Sequence, residues 1–189
     1  MYVKEIWRYP VKSMAGVSLA AATLTPLGIE GDRIVQVRNT RGRPITARTH
    51  PRLLGFKATL DDFGNPLVDG VPWNDPSVLN AVQKVAGPES RLVWDDSEHR
   101  FDVLPLLIAT DGAVAEFGLD RRRLRPNIVI GGVSRLEERK WEGGVIRIGE
   151  VVIAVRDLRA RCIMTTFDPD TLAPDLPPIS LPNETRVLG

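Results

Sequence analysis

Fifteen prolines and sixteen glycines interrupt this chain of 189 residues, and their spacing sets narrow limits on its fold. Proline withholds a backbone donor and fixes φ, while glycine admits positive φ, so both tend to end regular elements. Only short apolar runs survive between them, which argues against a helical bundle and for a strand-rich α+β fold, predominantly β, with a few short helices. Segments 2–7, 17–24, 34–38 and 54–60 are rich in β-branched or aromatic residues and read as strands, with a turn at 40–43. Further along, 127–130, 145–148 and 151–155 read as short buried strands with glycine turns between them.

Two helices are expected. Asp75-Pro76 is an N-cap followed by proline in the first turn; Val78, Leu79, Val82, Val85 and Ala86 then share one face before Gly87-Pro88 stops the run. The second starts near Thr110-Asp111, places Ala113, Val114 and Phe117 at helical spacing, and ends at Gly118; Asp120 is expected to cap another short turn. Segment 61–76 is dense in turn formers and reads as a long surface connection, while the proline-rich tail 173–189 reads as extended along the surface. A seam near residue 90 would divide the chain into 1–90 and 91–189.

Composition removes several function classes. The net charge of +1 gives no global attraction to nucleic acid or a membrane surface. One cysteine cannot form an intramolecular disulfide, which suits a reducing, cytoplasmic compartment, and two histidines with no C-x-x-C partner leave few ligands for zinc or an iron–sulfur cluster. The charged amino terminus lacks the apolar stretch of a signal peptide, and no window reaches the length of a membrane span, so a soluble protein is expected. No lysine stands in a Schiff-base motif, which excludes pyridoxal phosphate.

Three clusters could carry chemistry. In R-C-I-M-T-T-F-D-P-D-T, residues 161–171, Cys162 stands beside Arg161, whose charge would favour a thiolate, the form that binds metals. The same residue could equally pack as a small hydrophobe, the commoner fate of a free cysteine. In Y-P-V-K-S, residues 9–13, Lys12 and Ser13 arrive together on a loop and, with Arg33 of G-I-E-G-D-R, could clamp a phosphate; a solvated turn is the commoner alternative. In L-R-P-N-I-V-I, residues 124–130, Arg125 and Asn127 flank a proline at the start of a strand and could both point into a site; alternatively Arg125 merely extends the basic run Arg121, Arg122, Arg123, which is read as a solvated face.

These segments, with E-x-x-x-W at 137–141, together resemble the MOSC family in order and spacing. The first two look like the amino-terminal β-barrel region that precedes many MOSC domains, and the others like the MOSC core, so the resemblance covers most of residues 1–172. It implies a MOSC-type β-barrel whose carboxy-terminal strands are cut short, leaving open edges that invite a homodimer. It also implies molybdenum cofactor (a molybdopterin) and, as in the mitochondrial amidoxime-reducing component and bacterial counterparts, reduction of N-hydroxylated small molecules by oxygen-atom transfer. Carried over, Cys162 is the metal ligand and a catalytic residue, with Asp111 a second catalytic candidate. Lys12, Ser13 and Arg33 hold the cofactor phosphate, Arg125 and Asn127 face the pterin, Thr110 and Asp111 lie near the metal, and Thr110 and Thr165 count among the cofactor-binding residues. Electrons would come from a separate ferredoxin or cytochrome b type protein, with no nucleic-acid or membrane partner. The alternative within the resemblance is a non-redox carrier of the cofactor or its sulfur.

Overall fold

Tyr2–Arg8, a run with tyrosine, valine, isoleucine and tryptophan, forms β1 and supplies the strand on which the rest of the main sheet is laid. The computed structural model describes residues 1–175 and the backbone of Val187–Leu188. The strands that follow are β2 (Val17–Leu19), β3 (Leu24–Thr25), β4 (Gly28–Ile29), β5 (Val35–Arg38), β6 (Ala58–Leu60), β7 (Pro66–Val68) and β8 (Val71–Pro72). Helix α1 (Pro76–Ala86) leads to β9 (Arg91–Trp94) and β10 (Ile108–Thr110), and α2 (Asp111–Phe117) to β11 (Ile128–Gly131). Last come β12 (Val145–Ile148), β13 (Val151–Ala154), β14 (Leu158–Arg159) and β15 (Val187–Leu188).

The main sheet has the order β14-β15-β10-β11-β1-β2. Its β10 and β11 run parallel, joined through α2, and β1 lies antiparallel to β11 with Ile6 opposite Ile128. An amino-terminal strand is thus built into a sheet otherwise made largely by the second half. Beyond residue 90, β9 pairs with β5 of the first half, Val35 facing Trp94. Two larger cores and a small one result: Val11, Met14, Val35, Val37, Leu53, Val68 and Val82 are buried in the first, Ile108, Ile128, Ile130, Val133 and Val155 in the second, and Ala109 and Leu124 in the third.

Both expected helices form. Asp75 caps α1 by accepting from the Ser77 N–H, and Val78, Val82 and Ala86 are its buried face. Thr110 caps α2 by accepting from the Ala113 N–H, Gly118 closes it at φ 70°, and Asp120 caps the 3-10 turn Arg121–Arg123.

Elsewhere the structure corrects the expectations. The strand read over 17–24 is two pieces, because β2 pairs with β1 only as far as Leu19 and Leu24 turns to pair with Ile29. That read over 54–60 begins as a 3-10 helix, Pro51–Gly55, opened by its proline, so that only 58–60 is extended. Segment 61–76 is not a plain connection: Asp69 and Gly70, at φ 50° and 83°, make a two-residue turn that folds β7 onto β8. Strands β12 and β13 are half exposed, not buried, with Val145 and Val152 open to solvent. Among the described residues the strands form five separate sheets and no closed barrel. No described helix is long and apolar enough to cross a membrane. The expectation for the tail falls mostly outside the described residues.

Candidate functional site

Where β1 ends, Pro10 turns the chain and Y-P-V-K-S is stitched to β5: Lys12 N–H donates to the Val35 carbonyl at 2.8 Å, and Val35 N–H to that of Pro10 at 3.1 Å. Ser13 takes the left-handed region, φ 70°, and its Oγ accepts from the Ala47 N–H at 3.0 Å. Lys12 Nζ points across to the Arg100 carbonyl at 2.9 Å and to Asp102 at 2.7 Å. This loop is held on both sides, unlike a solvated turn.

Arg33 is delivered by the tight G-D-R corner, itself at φ 55° with its N–H on the Tyr9 carbonyl at 2.8 Å. Fully buried Asp32 accepts from the Tyr9 N–H at 2.7 Å, from Asn127 Nδ2 at 3.1 Å and from the Arg33 guanidinium. Asn127 is itself fully committed: its Oδ1 accepts from Leu107 N–H at 3.2 Å and from Arg33 at 3.3 Å, and its Nδ2 also donates to the Trp7 carbonyl. Arg125, at φ 54°, donates to the Met14 carbonyl at 2.6 Å and lies over the Tyr9 ring, 4.3 Å from its centroid, while Arg33 lies 5.2 Å from the same centroid. Burial pushes Tyr9 up to about 12 and Arg125 down to about 10.

The third segment closes the cleft. Cys162, half buried, precedes the 3-10 turn Ile163–Thr166, and Thr165 folds back so that its N–H and Oγ donate to the Cys162 carbonyl at 3.1 and 2.8 Å. Its neighbour Arg161 makes one long bond to the Leu124 carbonyl, 3.4 Å, and its Nε and Nη2 are buried without an acceptor. Burial pushes this guanidinium down to about 9, the neighbouring sulfur opposing the shift.

These three segments, far apart in sequence, line one cleft of about 140 Å³. Lys12, Ser13, Arg33, Arg125, Asn127, Cys162 and Thr165 all reach it. Thr110 and Asp111 do not: Thr110 donates to buried Glu138 at 3.0 Å, and Asp111 accepts from the N–H groups of Gly132 and Val133 at 2.7 and 3.0 Å, fixing α2 to the turn after β11. Sequence reasoning left out Thr46, Arg48, Arg159 and Arg161 as lining residues. A lone arginine or threonine carries no local signal, although Arg161 was already conspicuous beside the cysteine.

In the basic run after Asp120, Arg122 is exposed as expected, but Arg123 is buried and all three side chains are ion-paired. Arg121 bonds Glu5 at 2.5 Å and lies over Trp7; Arg122 reaches Asp120 and Asp170, both at 2.7 Å; Arg123, with a side chain only 4% exposed, bonds Asp175 at 2.5 Å and Asp168 at 3.2 Å. Arg122 and Arg123 clamp the D-P-D-T turn, and with it the Cys162 segment, against the body of the protein.

Seven basic side chains and one carboxylate, Asp102, line the cleft, so it suits an anion. Among the described residues no group of three or more histidine, cysteine or acidic side chains could hold a metal. A metal at Cys162 would have to arrive with ligands of its own. A phosphate-bearing dithiolene cofactor would meet both conditions, with Lys12, Ser13 and Arg33 lining the cleft for its phosphate and the Cys162 sulfur for its metal.

Comparison with known proteins bears on this cleft. Residues 1–101 match the MOSC N-terminal beta barrel domain and residues 107–183 the MOSC domain. Among curated proteins, the chain is 28% identical to mitochondrial amidoxime reducing component 2 of Macaca fascicularis over 227 aligned residues, covering 89% of this chain and 67% of that protein. It is 27% and 29% identical to the human components 2 and 1, each over 229 aligned residues with the same coverage.

Proposed function

Because this chain belongs to the MOSC family, with a cationic cleft built around one cysteine, we propose that it binds molybdenum cofactor and reduces N-hydroxylated small molecules. The observation that carries the reading is the convergence of Lys12, Ser13 and Arg33 with Cys162 on a single cleft, since phosphate donors and a soft ligand are the two things such a cofactor asks of a protein. The similarity to amidoxime-reducing components supports the reaction class.

In this reading Lys12, the Ser13 hydroxyl and Arg33 hold the phosphate, and Arg125 bounds the pterin. Asn127 acts through Arg33: with every one of its polar groups engaged, it orients the guanidinium. Cys162 offers its sulfur to the metal, on a turn that Thr165 keeps rigid. Thr110 and Asp111 fix the α2 cap behind the site. Bound there, the cofactor would supply two-electron removal of oxygen from the substrate. The protein's share is to hold both ends of the group, shape the open face and exclude competing ligands. Two electrons per turnover would come from a separate electron-transfer protein of the ferredoxin or cytochrome b type.

The test is expression in a host that makes molybdenum cofactor, with metal and pterin measured on the purified protein and on Cys162→Ala. Near-stoichiometric molybdenum that falls severalfold in the variant, together with reduction of benzamidoxime by a chemical donor, is the expected result. Cofactor without turnover would make the protein a carrier, and protein free of pterin would end the reading.

A further inference from the structure

Most cations of the cleft are already paired. Lys12 and Arg48 share Asp102, Arg33 has Asp32, and Arg123 has Asp175 and Asp168. Arg161 differs, because the two nitrogens that remain without an acceptor are Nε and Nη2, which form one edge of the guanidinium. That edge presents two parallel N–H donors, the fork that matches the two oxygens of a carboxylate. A buried cation with a free fork is costly unless an acceptor enters from outside the chain. Arg159, on the same short segment, also lines the cleft and adds charge of the same sign. The fork stands one residue from Cys162, the point at which the proposed reaction would take place.

We propose that the Nε/Nη2 edge of Arg161 is a carboxylate receptor, so that the cleft selects substrates bearing a carboxylate close to the group presented at Cys162. The inference deepens the cofactor reading and rests on it for the identity of the reacting group, but the anion site itself can be measured without turnover. A carboxylate held in a fork approaches in one plane and one orientation, so recognition here also aims the substrate. The other source of a two-oxygen anion is the phosphate of the cofactor, and the experiment separates the two.

Benzoate and its neutral isostere benzamide are titrated by calorimetry into the purified full chain, into Arg161→Gln, into Arg161→Lys and into Arg147→Gln, an exposed strand position away from the cleft. Melting temperatures confirm folding, and Arg161→Lys, which keeps stem and charge but loses the fork, stands in if the glutamine variant does not fold. Benzoate should bind more tightly than benzamide, with the preference reduced about tenfold or more in both Arg161 variants and unchanged in Arg147→Gln. On the cofactor-loaded protein, 4-carboxybenzamidoxime should exceed benzamidoxime in kcat/KM, and the ratio should fall toward one in Arg161→Gln. Equal binding of benzoate and benzamide, or a preference that survives both Arg161 variants, overturns the proposal. Loss of pterin in Arg161→Gln with no substrate discrimination in the unaltered protein assigns the fork to the cofactor phosphate and equally overturns it. Arg161-dependent benzoate binding by a protein free of molybdenum keeps the receptor and removes the cofactor reading.

Discussion

Single residues in this protein are set by burial as much as by chemistry. Glu138 is fully buried, accepts one hydrogen bond from Thr110 and has its other oxygen without a partner, so desolvation raises its pKa above the usual glutamate range. A carboxyl whose folded pKa is raised contributes stability that is present below its unfolded value and is lost as pH rises through the folded one. Glu138→Gln keeps the shape and cannot ionise. Relative to this variant, the unaltered protein should therefore lose melting temperature as pH rises above the ordinary glutamate value of about 4.3, and a constant difference on that side would refute the assignment. Gly112 shows the steric counterpart. Its place in the first turn of α2 lies so close to the backbone carbonyls of Val133 and Arg135 that an added Cβ would overlap both oxygens. Gly112→Ala should cost about 1–3 kcal/mol in denaturant unfolding, because backbone on either side cannot give way cheaply.

Among the elements, the segment after β14 depends most on its partners. It has little regular structure, and the D-P-D-T turn is fastened by Arg122 and Arg123 instead of a sheet ladder. The Arg123 bond and charge hold Asp175 below the usual carboxylate range, the Arg122 bond does so for Asp170, and the Thr171 and Asp170 N–H groups do so for Asp168. All three folded pKa values are depressed, so their stabilisation is present above the unfolded value near 3.9 and is lost as pH falls through the folded values. An NMR titration should show the Asp170 and Thr171 amides, which donate to Asp168, shifting only below about pH 4. In Arg123→Ala the Asp175 carboxyl should titrate in the ordinary range, and exchange of the amides over 163–172 should quicken. Unaltered exchange would mean that the turn is held by packing alone.

At the scale of the whole molecule, β1 lies between β11 and β2 while β9 returns to β5, so neither half completes its sheets alone. Calorimetry should find one cooperative transition with matching calorimetric and van't Hoff enthalpies, and a chain cut to residues 1–101 should fail to give a dispersed NMR spectrum because β1 loses β11. Two separate transitions would contradict this interlocking. Much was legible beforehand wherever the determinants are local: the Asp75-Pro76 and Thr110 caps, the Gly118 stop and the apolar run of β11 each specify their element within a few residues. Among the strands that were missed, β9 and β10 exist because a distant partner completes their hydrogen bonds, which no local window contains. The residue types of the site, a lone cysteine beside arginine and a lysine beside serine, were likewise set by the sequence. Tertiary structure alone decided that Arg123 is a buried clamp and Arg161 an acceptor-free fork, since both pair or fail to pair across separations that only folding closes.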